Sequence, residues 1–212
     1  MLEGKRIIVT GSARGMGEAT LKAYVEAGAN VVGMDVSDDA GESVSIKANQ
    51  TGPGKSSYLN VDVSEKSSVE KSFSKAVEIL GGLDVLAHPA AIQRASDASV
   101  VSVEDWDLMF SVNVKGTMLT NQTAYKYMKK SGGGSIINFG SISGLRPEPS
   151  ASAYSAAKGA VHSWTRTASG TWGKHNIRVN AILPAMATPM YYAARERSTE
   201  EENIAAHWRN SV

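Results

Sequence analysis

A tyrosine and a lysine four residues apart, in Tyr154-Ser155-Ala156-Ala157-Lys158, are the pair in this 212-residue chain best placed to do chemistry. On a helix, residues at that spacing stack on one face with their side chains in reach of each other. A phenol loses its proton near pH 10, so titration near neutrality needs a fall of about three units, or roughly 4 kcal/mol. One ammonium about 4 Å away supplies roughly 4 kcal/mol at an effective dielectric near 20. The pair is therefore sufficient to make a tyrosine an acid–base catalyst. Tyr-x-x-x-Lys also arises on many helices by chance, so the surrounding chain has to decide.

The elements that would carry the pair alternate between strand and helix. Strand-like apolar runs occur at Arg6–Thr10, Asn30–Asp35, Ser57–Asp62, Leu83–Ala87, Ser135–Phe139 and Ile177–Ile182. Helical patterns fall between them, at about 16–26, 39–48, 64–80 with Ser64 as N-cap, 104–129 and 152–173. Such alternation predicts βαβ units with right-handed crossovers and a parallel sheet covered on both faces. The fold class is α/β, a Rossmann-type doubly wound sheet of about six strands. One domain over residues 1–212 is expected, with 185–212 as a substrate loop or lid and 191–212 helical and amphipathic.

Bulk composition narrows the function. A net charge of +1, with 42% hydrophobic and 20% charged residues, leaves no footprint for nucleic acid or an acidic partner. The absence of cysteine removes disulfides, thiolate metal sites and cysteine nucleophiles. The histidines His88, His162, His175 and His207 have no metal-ligand spacing, so no metal is expected. The first strand begins near Lys5, and no apolar run approaches the roughly 20 residues of a membrane span. A cytoplasmic protein without a membrane partner is the expectation.

Thr10-Gly11-Ser12-Ala13-Arg14-Gly15-Met16-Gly17 joins the first strand to the first helix. Three glycines permit a tight turn and close backbone approach, and the helix N-terminus offers free N–H groups to a phosphate. Gly11, Ser12, Arg14, Gly15, Met16 and Gly17 are thus candidate cofactor residues, although an empty tight turn would share the sequence. Asp35 ends the second strand, where a carboxylate accepts hydrogen bonds from an adenosine ribose and repels a 2′-phosphate. NAD is favoured over NADP, with Arg14 as the counter-indication, because a guanidinium receives phosphate readily. Asp62 accepts from an adenine amino group or caps a turn.

Thr10 to Gly17, Asp62-Val63, Asn113, Ser141 and Tyr154-x-x-x-Lys158, in this order and spacing, resemble the short-chain dehydrogenase/reductase family. The resemblance covers nearly the whole chain and implies hydride transfer between a nicotinamide and an alcohol or carbonyl carbon. It implies Tyr154 as acid/base, Lys158 lowering the phenol pKa and bonding the nicotinamide ribose, and Ser141 bonding the substrate oxygen. Asn113 would hold a water leading to Lys158, and Ser143, the competing hydroxyl, is assigned to the pocket wall. Asp62, Val63, Ala90, Pro184 and Thr188 join the cofactor set. The substrate pocket would draw on Gln93, Ser143, Leu145, Arg146, Met186, Met190 and Tyr191. Arg146 either binds an acidic substrate or is a surface arginine.

The chain departs from the family pattern in three places. His88-Pro89-Ala90-Ala91 stands for Asn-Asn-Ala-Gly, and Pro184-Ala185-Met186-Ala187-Thr188 lacks the usual Pro-Gly and is one residue short. A seventh strand and an Asp-Gly-Gly-type tail are missing, which predicts an incomplete or trimmed chain with the sixth strand as an edge. Were the gene simply short, 191–212 or a partner would cover that edge. The tryptophans Trp106, Trp164, Trp172 and Trp208 are expected in the core or an interface. The smooth helix face of Ala156, Ala157, Gly159 and Ala160 suits packing against a second copy, so a homodimer or homotetramer is expected. The rival functions are an NADP-preferring carbonyl or 3-oxoacyl reductase, a catalytically impaired dinucleotide-binding protein, and an interaction protein with an empty glycine turn.

Overall fold

The computed structural model describes residues 1–148 and 150–184. Six strands form one sheet in the order β3-β2-β1-β4-β5-β6, and every pairing is parallel. They are β1 (Arg6–Thr10), β2 (Asn30–Asp35), β3 (Lys55–Asn60), β4 (Val85–His88), β5 (Gly134–Phe139) and β6 (Ile177–Ile182). The helices are α1 (Gly15–Glu26), α2 (Asp38–Ala48), α3 (Lys66–Leu80), α4 (Val103–Met109), α5 (Gly116–Lys130) and α6 (Ser152–Trp172).

Alternate residues of β1 feed two cores, as the period of a strand requires. Ile7 and Val9 pack with Leu21 and Val25 of α1 and with Val44 and Ala48 of α2. Ile8 packs on the opposite face with Phe73 of α3, Met128 of α5 and Ala168 of α6. Both sheet faces are covered, which explains the near-continuous apolar strands. Trp164 and Trp172 meet edge-on, and Trp172 stacks on Tyr125, while Trp106 stacks on Phe110 and stays 39% exposed. Trp208 and the expected helix at 191–212 lie outside the described residues, as does the proposed lid at 185–212.

Three local expectations change. The 104–129 helix is α4 and α5 joined through a π-helical stretch, Phe110–Lys115, with Ser102 capping its start by accepting from the Asp105 N–H. Ser64 is not the N-cap of α3, which begins at Lys66 behind Glu65. Its N–H and hydroxyl both donate to Asp62 Oδ1, at 2.9 and 2.7 Å, so the carboxylate claims the serine first. Strand β3 ends at Asn60, leaving Asp62 in the turn beyond it.

An ion pair fixes the entry of β1 against the start of β4. Arg6 donates from Nε to Asp84 Oδ2 at 3.0 Å and from NH2 to Oδ1 at 2.7 Å, and the Arg6 backbone N–H adds 2.9 Å to Oδ2. The Arg6 hydrogen bond, ahead of the opposing cost of burial, holds the Asp84 carboxyl below its ordinary range. The stability this gives is present above the ordinary carboxylate pKa and lost as pH falls through the depressed value. Asp84→Ala should cost about 1–2 kcal/mol at pH 7 in urea denaturation, and the difference from wild type should shrink below about pH 4.

Candidate active site

The strand order reverses between β1 and β4, and in open parallel sheets ligands bind at that switch point, outside the carboxyl ends of the strands. The turn leaving β1 lies there. Gly11 has φ 60° and Gly15 φ 58°, the left-handed region that glycine reaches without steric cost. A Cβ on Gly11 would meet the Ala90 backbone at 2.7 Å, and one on Gly17 would sit 1.8 Å from the Gly11 carbonyl oxygen. The glycine turn and Ala90, 79 residues apart in sequence, are thereby in contact.

Helix α1 starts at Gly15 with Arg14 at its N-cap and no side-chain cap, so its first N–H groups have no intrahelical partner. Those donors, with the helix dipole, fit a phosphate. Arg14 is exposed beside them. Ser12 differs from expectation: its hydroxyl is buried against Gly33, and its N–H donates to the Met34 carbonyl, so neither faces the cleft. The tight approach of strand β2 to the turn turns it inward.

Asp35, at the carboxyl end of β2, accepts from the Ala13 N–H at 3.0 Å through Oδ2, and from the Val36 and Ser37 N–H groups through Oδ1. It therefore braces the glycine turn as well as presenting a carboxylate beside it. Asp62 is a turn-capping residue with its Oδ1 on Ser64. Val63 sends its side chain into the core, against the site of a Gly116 Cβ at 3.0 Å, which leaves only its backbone for a ligand.

Helix α6 carries Tyr154, Lys158 and His162 on one buried face. The Ser141 hydroxyl lies beside the Tyr154 phenol and acts to lower its pKa. It also donates to Ser143 Oγ and accepts from the Ser143 N–H, each at 3.2 Å. Lys158 Nζ lies 5.5 Å from the Tyr154 ring centre. It donates to the Phe139 carbonyl oxygen at 2.7 Å, at the end of β5.

The electrostatics correct one expectation. Burial pushes the Tyr154 phenol up, opposed by the Ser141 hydroxyl that pulls it down. The lysine does not offset that burial, because its ammonium points to Phe139 and is itself pulled down to about 8 by desolvation.

Asn113 lies in the π-helical stretch and is buried. Its amide accepts from the Ile92 N–H at 2.9 Å and donates to the Ile92 carbonyl at 2.8 Å. Its side chain satisfies both backbone groups of the loop after β4, which would otherwise be unpaired. His88 ends β4 across from Thr10, with Nδ1 2.7 Å from Thr10 Oγ1, and burial holds its pKa at about 3. The His88–Thr10 and Asn113–Ile92 bonds, together with the Gly11–Ala90 contact, hold the altered 88–92 loop.

Of the expected pocket residues, Gln93 is half-buried in the loop after β4. Ser143 stands beside Ser141, while Leu145 and Arg146 are exposed. Met186, Thr188, Met190 and Tyr191 lie outside the described residues. An apolar cavity of about 300 Å³ is walled by Met16, Phe139, Ile182 and Pro184, joining two expected cofactor residues across the carboxyl edge of the sheet. It lies to the side of Tyr154 and Ser141, which do not line it. Sequence reasoning missed Ile92 and His162; His162 was detectable, being four residues beyond Lys158 and so on its face. Among the described residues, no cluster of three metal-ligating side chains occurs, and no helix is long and apolar enough to cross a membrane.

A 3-2-1-4-5-6 parallel sheet with a glycine turn at its switch point is a Rossmann-type fold. The sequence profile of the short chain dehydrogenases matches residues 5–199. The chain is 38% identical over 198 residues to 2,5-dichloro-2,5-cyclohexadiene-1,4-diol dehydrogenase of Sphingobium indicum, covering 92% of this chain and 78% of that one. It is 34% identical to the 3-oxoacyl-[acyl-carrier-protein] reductase of Thermotoga maritima, covering 94% and 81%. The crystal structure of a short-chain type dehydrogenase/reductase from Mycobacterium marinum superposes with a TM-score of 0.83 at 31% identity, covering 87% and 75%. The chain belongs to the short-chain dehydrogenase/reductase family. It is an oxidoreductase acting on alcohol or carbonyl groups, in a family that uses nicotinamide cofactors.

Proposed function

We propose that this chain transfers a hydride between NAD(H) and the carbinol or carbonyl carbon of a secondary alcohol or ketone, with Tyr154 as acid/base. The observation that carries the reading is the buried Tyr154 phenol beside the Ser141 hydroxyl, with the Lys158 ammonium on the same helix face. The names of two relatives, a cyclohexadienediol dehydrogenase and an oxoacyl reductase, both concern alcohol or oxo groups.

A bound nicotinamide supplies the hydride acceptor or donor and, when oxidised, a positive charge. The chain's own residues supply the rest. Tyr154 gives a proton to a carbonyl oxygen in reduction or takes one from an alcohol in oxidation. Since burial favours its neutral phenol, reduction finds the tyrosine ready to donate at neutral pH, and oxidation is favoured as pH rises. The Ser141 hydroxyl steadies the substrate oxygen as a preorganised donor. Lys158, held on the Phe139 carbonyl, offers its ammonium to a cofactor ribose. Asn113 acts at a distance, by holding the Ile92 loop.

The residues fit a dinucleotide: an uncapped α1 N-terminus for phosphate, and a carboxylate at Asp35 for the ribose hydroxyls. The Asp35 charge is the ground for NAD over NADP. The exposed Ala156 and half-buried Gly159 and Ala160 of α6 suit a homo-oligomer.

An absorbance screen with NAD(H) against secondary alcohols and ketones, including sugars, steroids and acyl thioesters, tests the reaction. Asp35→Ala tests the cofactor. It should weaken NAD binding by about 1–3 kcal/mol and narrow the preference over NADP. An Asp35→Ala protein that binds the two cofactors in the wild-type ratio would remove the ground for NAD.

A further inference from the structure

The loop after β5 is built around one imidazole. The Ser141 backbone N–H donates to His162 Nε2 at 3.2 Å. A Cβ on Gly140 would lie 2.3 Å from that nitrogen, and one on Gly144 would lie 2.8 Å from His162 Cε1. The ring thus fills a slot between two glycines, with Ser141 and Ser143 between them. Accepting at Nε2 fixes the tautomer, so the proton is on Nδ1, which is buried with no partner among the described residues. A buried donor left unpaired costs stability, and such a group calls for a reason. The reason offered by the geometry is the acceptor at the other end of the ring.

We propose that His162 is a positioning residue, whose neutral imidazole holds the Ser141 backbone so that its hydroxyl faces Tyr154 and the substrate oxygen. This rests on the role given to Ser141 above. It also makes that role conditional on charge: protonation at Nε2 turns the acceptor into a donor facing an N–H, and the bond is lost. The groups that face the ring are Lys158 and Arg166 from its own helix, and both, after burial, oppose its protonation. Residues 140–144 carry no charge, nor does the nearby carboxyl end of β6 at Asn180–Ile182, which meets Gly140, and Tyr154 is reached through Ser141. The loss therefore falls below the ordinary imidazole pKa of about 6.5.

Carbonyl reduction is the informative direction, because it needs Tyr154 protonated and so has no acid limb from that residue. His88 stays neutral down to about pH 3. With NADH and a ketone turned over in the absorbance screen, the wild-type kcat should fall as pH drops below the imidazole range. His162→Gln, which keeps a side-chain acceptor but does not titrate, should retain most of the neutral rate and lose that acid limb. His162→Leu should lower kcat on the order of ten- to a hundred-fold with NADH affinity unchanged, since a misplaced catalytic group costs that much.

Ser141→Ala, measured alongside, separates the two levels. If it abolishes reduction while His162→Leu and His162→Gln keep the wild-type kcat and pH profile, the positioning role is overturned and that of Ser141 stands. If Ser141→Ala reduces ketones at the wild-type rate, the role of Ser141 falls and this one with it. A His162→Leu protein that loses NADH binding in step with kcat also overturns it, because the ring would then be supporting the whole fold. Where His162→Leu does not fold, the acid limb of His162→Gln decides.

Discussion

Tyr154→Phe is expected to lower kcat/KM by about 10²–10⁴-fold in both directions, the usual contribution of a positioned acid or base. The packing should survive, since the ring stays in the small cluster with Met109, Ala151 and Ala153. Only the hydroxyl and its contact with Ser141 are removed, so stability should move by no more than about 1 kcal/mol. NADH binding, followed by fluorescence, should be close to wild type. Turnover unchanged with any substrate found would refute Tyr154 as the acid/base. Loss of cofactor binding together with turnover would mean the residue shapes the cleft instead.

Lys158→Met should show the opposite trade. Burial lowers the lysine from 10.5 to about 8, so the folded chain holds an ammonium that the solvent would hold more cheaply. Because the folded pKa is depressed, this destabilisation is fully present below about pH 8 and fades as pH rises through the unfolded value. About 2.5 units at 1.36 kcal/mol each is roughly 3 kcal/mol. Methionine removes that cost but leaves the Phe139 carbonyl without its donor, an offset of about 1 kcal/mol. Lys158→Met should therefore be more stable than wild type by about 2 kcal/mol at pH 7 and no more stable near pH 10.5, while losing turnover. Urea denaturation at the two pH values measures this. A destabilised variant at pH 7 would mean the ammonium is better solvated than its burial implies.

The fold was legible because its signals are local. Apolar strands such as Arg6–Thr10 and Ile177–Ile182 need no partner to be recognised, and the glycine turn announces itself by position. Tyr154 and Lys158 were legible by helix spacing alone. What the sequence hid were bonds between groups that only folding brings together. Lys158 finds the Phe139 carbonyl 19 residues back, and Asn113 finds Ile92 across 21. Both are single-sided in the sequence, since any backbone group serves and no residue type marks it. Ser64 looked like a helix cap because serine favours that place, yet Asp62 two residues earlier offered a charged acceptor. Serine and aspartate compete for the same few N–H groups, and sequence does not rank them. The nature of the Ser12 side chain was no guide either, because its environment is set by Gly33 on the neighbouring strand.

The widened helix between α4 and α5 has a geometrical effect on everything after it. Eight residues along an undistorted α-helix carry the chain about 800°, leaving the eighth about 80° out of phase with the first. A π-helical turn absorbs one extra residue, which takes back about 100°. Met109 and Thr117, on either side of the distortion, then differ by only about 20° and are both buried, with Asn113 between them. Removing any one residue from 110–115 would leave seven regular steps, about 700°, so a regular helix would keep α5 in nearly its present phase against the sheet. The stretch is thus a phase corrector: it takes in an extra residue without turning the helix that follows.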